Sequence, residues 1–438
     1  MTADGRSRPD LAAYYADTRL MWRNVILIML GYMAWSIVST ILNPLNTKKM
    51  IALGLDESTN ALLGSINSWA ISILVMYFSF KSDRTDTRLG RRLPYLLIST
   101  PFIAVSALGI PFVNTLGATI VLSLIGMFFG DMKASTYPLL SIDCVRRDVL
   151  ARVNSINGII GGVIGFIALR WGIGLAKFHP LLPYGLSAAL ILVITAVVLM
   201  GVKEPPTRVK DGAKFRLWST FQVAARDRRM MLLMLGVALL NCVGIVSYTW
   251  LTFYVLKVLN VSAADYGKIV SWSSIVGILL AYPAGYLIDR VSGYRIILLY
   301  WAMQVMLGLS LIFLVRIWTL PYLFVWSAVA GCLCTGPTIM IWKSCPPDHV
   351  GSYTATVAFF TNAVSGTVLF LSGRVLAWSG NNYACVYVFG IVGATAGFIL
   401  ILVYRHLMLN GPRQLTTREA APDAVARCTA PASAPAAN

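Results

Sequence analysis

The stretch Ser82-Asp83-Arg84-Thr85-Asp86-Thr87-Arg88-Leu89-Gly90-Arg91-Arg92 follows one apolar run, and Gly285-Tyr286-Leu287-Ile288-Asp289-Arg290-Val291-Ser292-Gly293-Tyr294-Arg295 closes another much further along the chain. Each sets an Asp-Arg pair at the end of an apolar run, then a glycine, then more arginine. One such loop is an ordinary basic cluster beside a hydrophobic segment. Two at matching places imply a chain built from two similar halves. Pro138 and Pro337 echo each other in the same way, near corresponding ends of the fourth and tenth apolar runs. Repeated halves holding a ligand site between them are the architecture of secondary transporters.

A helix needs roughly 20 apolar residues to cross a bilayer. Twelve stretches meet that length: 24–44, 58–80, 94–113, 116–140, 153–177, 181–202, 230–256, 266–288, 294–316, 319–343, 352–376 and 383–406. Asn43 and Pro44 close the first of them. The longest polar interval divides them six and six. The expected organisation is a cytoplasmic segment 1–23, a six-helix bundle 24–202, a cytoplasmic linker 203–229, a second bundle 230–406, and a disordered cytoplasmic tail 407–438 rich in Ala, Pro and Thr. The expected fold is all-α: twelve transmembrane helices in two pseudo-symmetric halves. Residues 1–23 are polar and of mixed charge, and no small-residue cleavage site follows, so the first run reads as a span and not a signal peptide.

Composition agrees. The chain of 438 residues is 57% hydrophobic and 12% charged, whereas a soluble domain carries about 25% charged residues. A water-soluble enzyme or nucleic-acid binder is therefore excluded, although the formal net charge is +18. The basic residues have a topological explanation. With the N-terminus in the cytoplasm, 27 of the 36 Lys and Arg fall on the cytoplasmic side and 7 on the other. That bias is expected of a protein of a bacterial inner membrane or a plasma membrane with both termini on the cytoplasmic side. Cys332 and Cys334 lie in an apolar run and read as buried thiols rather than metal ligands. No nucleophile–base pair, metal cluster or Walker-type loop occurs, so neither an enzyme, a metal nor a cofactor is expected.

Asp131 is the one acidic residue placed deep in a span, where a charge costs at least ~2.5–3.5 kcal/mol. A carboxyl there can take up a proton instead, which makes it a candidate proton carrier. Lys133 and Arg170 are the basic candidates for coupling or substrate contact. Lys133 is poorly placed to pair with Asp131, because residues two apart do not share a helix face. Candidate substrate contacts are Tyr32, Trp35, Trp272 and Trp326 for stacking and Asn67, Asn154, Asn157 and Gln304 for hydrogen bonds. Candidate cytoplasmic gating residues are Asp83, Arg84, Arg88, Arg91 and Arg92, with Asp289, Arg290 and Arg295 in the second copy.

With these residues in view, the chain resembles the major facilitator superfamily over its length apart from the tails. Within it, the segment from Ser82 to Tyr95 is similar to the branch of sucrose:proton symporters, close to the glycoside–pentoside–hexuronide:cation symporters. Gly31, Trp35, Asn43-Pro44-Leu45 and Leu53-Gly54-Leu55 add to that similarity. The resemblance implies alternating access, a sugar or glycoside substrate, and cation coupling in a monomer. Asn67 to Phe80 contains no carboxylate, so a sodium site of the melibiose type is not supported. Asp131 is the match to an acid in the fourth span of relatives, with a different spacing to Pro138 and Asp143. The leading expectation is proton-coupled sugar symport. A proton-coupled exporter of amphipathic molecules and a non-transporting scaffold or sensor remain open alternatives.

Overall fold

The computed structural model describes residues 17–83, 85, 87–145, 147–205, 228–291, 293–313, 316, 318–334, 336–337, 340–341 and 350–410. Helix α1, Thr18–Ala52, starts where the Asp17 carboxylate accepts the Leu20 N–H at 3.0 Å, a side-chain cap. It does not stop at Pro44, where the apolar run ends. Proline removes one helical hydrogen bond, but the helix continues to Ala52, and Gly54, with a φ of +95°, lets the chain turn out. Gly54 and Leu55 N–H then cap the carbonyls of Ile51 and Met50, closing the last turn as left-handed C-caps do.

The remaining helices are α2 Glu57–Asp83, α3 Leu93–Gly109, α4 Leu116–Cys144, α5 Arg147–Ile167, α6 Leu182–Gly201, α7 Arg228–Lys257, α8 Ala263–Arg290, α9 Gly293–Phe313, α10 Leu320–Cys332, α11 Val350–Trp378 and α12 Tyr383–Asn410. Helix α5 widens into a π turn at Ala168–Gly172 and then tightens over Ile173–Lys177. Helix α7 is interrupted at Asn241. Among the described residues ten helices are long and apolar enough to cross a membrane by length and composition. Helix α10 ends at Cys332, and the chain then turns out through Leu333 and Gly336. The tenth run was expected to be helical to 343; residues 342–349, most of the linker and the tail from 411 lie outside the described residues.

Each half has its own core. In the first, Ala34, Val38 and Ile41 of α1 pack against Ile103 and Ala107 of α3 and Ala188 and Ile191 of α6. In the second, Val243, Val246 and Trp250 of α7 meet Leu307 and Leu311 of α9 and Val386 and Tyr387 of α12. Trp250 is fully buried and its indole N–H donates to Ser372 Oγ at 2.8 Å. Large apolar side chains such as Phe112, Val193, Leu279 and Val392 remain exposed, as a lipid-facing surface allows.

The halves meet along α2 with α11 and α5 with α8. Gly373 makes the first contact possible, because a Cβ there would collide with the Ala61 methyl. Both ends of the first half lie on one face, termed here the terminal face: Asn24 of α1 exchanges two hydrogen bonds with Lys203 beyond α6, at 2.9 and 3.2 Å. The opposite, far face carries the α1–α2 and α7–α8 connections.

Candidate functional site

A cavity of about 690 Å³ lies between the two halves, in the part of the bundle toward the far face. That volume falls in the range of small-molecule sites. Its polar lining follows a helical rhythm. Ser39, Asn43 and Asn46 on α1, Asn60, Gly64 and Asn67 on α2, and Asn241, Ile245, Tyr248 and Thr252 on α7 recur three and four residues apart. Such a spacing puts each set on one helix face. Helix α4 adds Ser123 and Asp131. Asn46 Oδ1, Ser123 Oγ and Asp131 Oδ2 are buried with no hydrogen-bond partner. Buried polar atoms are ordinarily paired, so three unpartnered ones around one void mark it as a place for a polar ligand or water.

Three residues singled out in the sequence line this cavity: Asp131, Trp35 and Asn67. Trp35 stands at the depth of Asp131, since a Cβ on Gly130 would come to 2.5 Å from its ring. Other candidates lie elsewhere. Tyr32 packs on Tyr137 inside the first half, with ring centroids 5.1 Å apart. Lys133 is 0% exposed and donates to Thr195 Oγ1 of α6 at 2.9 Å, with its ammonium 5.6 Å from the Tyr137 ring centre. Asp131 and Lys133 thus point to opposite sides of α4. Arg170 is half-buried on the π turn of α5, and among the described residues it forms no ion pair with Asp131. Trp272 is 52% exposed and Trp326 stacks on Tyr322, both away from the cavity lining. The side chains of Asn154 and Asn157 lie outside the described residues.

Gln304 acts at one remove. Its amide donates to the Tyr300 hydroxyl at 2.6 Å, and that hydroxyl donates to Asn241 Oδ1 at 2.5 Å. The Asn241 amide in turn donates to the Val237 carbonyl at 2.9 Å. This chain fixes the orientation of a lining amide at the interruption of α7. Asn241, Tyr248 and Thr252 were not among the sequence candidates; their spacing in an otherwise apolar helix was the available signal.

At the terminal face, the first Asp-Arg loop is tied down within its own half. Arg91 Nη2 and Arg92 Nε reach Asp143 of α4 at 2.6 and 3.1 Å, and Arg92 also donates to Ser82 Oγ. The N–H groups of Arg91, Arg92 and Leu93 converge on the Glu204 carboxylate at 2.7, 2.9 and 2.8 Å. Glu204 therefore caps the start of α3, where unpaired N–H groups favour a carboxylate. Burial pushes the Glu204 carboxyl above the usual range, against the pull of those three donors. Gly90 has φ +117°, and a Cβ there would meet Glu204 at 2.6 Å. Arg88 is exposed. In the second copy Arg290 lies over the Tyr286 ring at 4.5 Å and Arg295 is exposed. Arg84 and the side chains of Asp83 and Asp289 lie outside the described residues. Cys332 is half-buried and Cys334 exposed, so the thiols are not buried as expected; Cys332 is the last residue of α10 and Cys334 lies in the turn that follows.

At the far face the halves are linked. Lys257 of α7 pairs with Glu57 of α2 at 2.8 Å, and the Tyr383 hydroxyl approaches the same carboxylate at 3.4 Å. Lys48 of α1 donates to the carbonyls of Leu256 and Val261, both at 3.3 Å, and to Asn260 Oδ1 at 3.2 Å. These bonds bound the cavity on that side.

Solved structures of similar fold include membrane transporters. A point mutant of the nucleoside transporter NupG superposes with a TM-score of 0.69 at 15% identity, over 89% of this chain and 99% of that one. The human organic anion transporter MFSD10 gives 0.62 at 15% identity over 87% and 99%. A D-xylose–proton symporter gives 0.59 at 16% identity over 88% and 97%. No curated protein sequence matches the chain. The sequence model of the Major Facilitator Superfamily matches residues 25–369. Two six-helix halves about a central polar cavity and that match agree: the chain belongs to the major facilitator superfamily, as an integral membrane transporter and not an enzyme.

Proposed function

We propose that the protein is a proton-coupled symporter of a sugar or glycoside that works by alternating access, as in the branch containing the sucrose:proton symporters. The observation that carries this reading is Asp131. Among the described lining residues it is the one carboxylate, its Oδ2 is buried without a partner, and no Lys, Arg or His joins it there. A carboxylate held in that setting is costly unless it is neutralised. A proton taken up from the outer solution neutralises it, and release on the other side returns the charge.

The rest of the lining suits a hydroxylated molecule. Amides at Asn43, Asn46, Asn60, Asn67 and Asn241 offer both donors and acceptors. Trp35 and Tyr248 offer aromatic faces to the apolar C–H face of a sugar ring. The fold itself accommodates such chemistry, one solved neighbour being a D-xylose–proton symporter. In this scheme the terminal face is cytoplasmic, the monomer is the working unit, and the far-face links between Glu57, Lys257 and Lys48 break when the cavity opens outward.

The test is uptake into proteoliposomes of a panel of mono-, di- and trisaccharides, with and without an inward proton gradient. The expected result is accumulation of at least one sugar above its external concentration only when the gradient is imposed. Uptake that equilibrates identically in both conditions removes the coupling. No uptake of any panel member removes the substrate class.

A further inference from the structure

We infer that the cavity accepts hydroxylated amines, with the ammonium seated on Asp131, and turns away acidic sugars; this rests on the transport reading above. The inference starts from charge. Among the described lining residues Asp131 is the single charged group, so a bound anion would meet a carboxylate and no cation. The lysines around it are engaged elsewhere, Lys133 donating to Thr195 within the first half. Lys48 and Lys49 adjoin the lining residues Thr47 and Met50, yet Lys48 donates to Leu256 and Val261 carbonyls and Lys49 to those of Ile110 and Pro111. Lys257 is paired with Glu57.

Hydrogen-bond polarity points the same way. Of the three buried unpartnered atoms on the lining, Asn46 Oδ1 and Asp131 Oδ2 can only accept while Asp131 is ionised. Ser123 Oγ can do either. These atoms therefore favour a donor-rich ligand. A hydroxyl brings one donor; an ammonium brings three and a positive charge. Tyr248 is 73% exposed on the cavity wall, an aromatic face that a cation also finds favourable. A neutral sugar fits if a proton sits on Asp131. An amino sugar supplies its own.

The experiment measures binding to the detergent-solubilised full-length protein at a pH where the amines are protonated. The probes are two matched sets: glucose, glucosamine and glucuronate, and the corresponding neutral, diamino and acid-bearing glucose disaccharides. The inference expects an amine to bind about tenfold tighter than its neutral counterpart, a difference typical of one charge-assisted contact, with no binding by the acids. In Asp131→Asn the amine and neutral affinities should converge to within about twofold on the same reasoning. Acids binding as well as neutrals, an amine binding no better than its neutral partner, or an amine preference unchanged in Asp131→Asn each overturn it. Neutral sugars binding without that preference leave the sugar reading standing and sink this one. Silence from both sets sinks both.

Discussion

Glu57 and Lys257 join the two halves of the bundle across its far face, with the ammonium 2.8 Å from the carboxylate and both groups partly exposed. Glu57 opens α2 and Lys257 ends α7, so the pair is made only when those helix ends are close. It stands over the cavity, where Thr47 and Phe253 also come from opposite halves. An ion pair of this exposure contributes roughly 0.2–1 kcal/mol, enough to bias a two-state equilibrium without locking it.

Lys257→Met should therefore shift the population toward an open far face by at most about fivefold. The readout is the rate at which a membrane-impermeant thiol reagent labels Ser123→Cys on the cavity wall. Faster labelling in the Lys257→Met background is expected; an unchanged rate would mean that the Lys48 bonds alone hold that face.

Gly90→Ala should destabilise the first half. The backbone there is left-handed, at φ +117°, and the added methyl would press on the Glu204 carboxyl at 2.6 Å. Strain of this kind costs on the order of 1–3 kcal/mol. The apparent melting temperature in detergent should fall, and Asp143→Asn, which removes the negative charge facing Arg91 and Arg92, should lower it further.

Glu204 also predicts a pH dependence. Its carboxyl is raised by burial, so between the ordinary glutamate value of about 4.3 and its higher folded value the native protein holds a proton that the unfolded chain has lost. Stability contributed by this group is then present below that window and declines as pH rises through it. Glu204→Gln should flatten that part of the melting profile. A slope equal to that of the unsubstituted protein would assign it to another group.

Gly373→Leu should impair transport more than folding of either half. The glycine lets α11 lie against Ala61 of α2, one of the two seams along which the halves meet. A larger side chain wedges the seam apart. Substrate exchange in proteoliposomes should be lost while the apparent melting temperature in detergent changes little; retained exchange would show that the seam tolerates separation.

The fold was legible because its signals are additive over long stretches: hydropathy, the bias of Lys and Arg, and a repeated loop. Of the candidate site residues, Asp131, Trp35 and Asn67 are the ones placed on the cavity lining. Asp131 stood out as the lone deep acid, and Trp35 followed from its depth. Helix rotation was not legible, and it sends Lys133 into the first half toward Thr195 and puts Tyr32 against Tyr137. Gln304 is off the lining for the same reason and reaches the cavity through Tyr300 and Asn241. The Glu204 cap on α3 joins residues more than 100 positions apart, and no local pattern announces a contact of that separation. The polar stripe on α7 was present in the sequence, but hydroxyls and amides in a span serve helix contacts as readily as a cavity.

The most direct measurement is proton movement driven by substrate alone. Adding a transported sugar to proteoliposomes without any imposed gradient should make the external buffer more alkaline, as each sugar carries a proton inward, and Asp131→Asn should abolish that signal while sugar exchange continues. Alkalinisation that persists undiminished in Asp131→Asn would contradict the assignment of the coupling proton to this carboxyl.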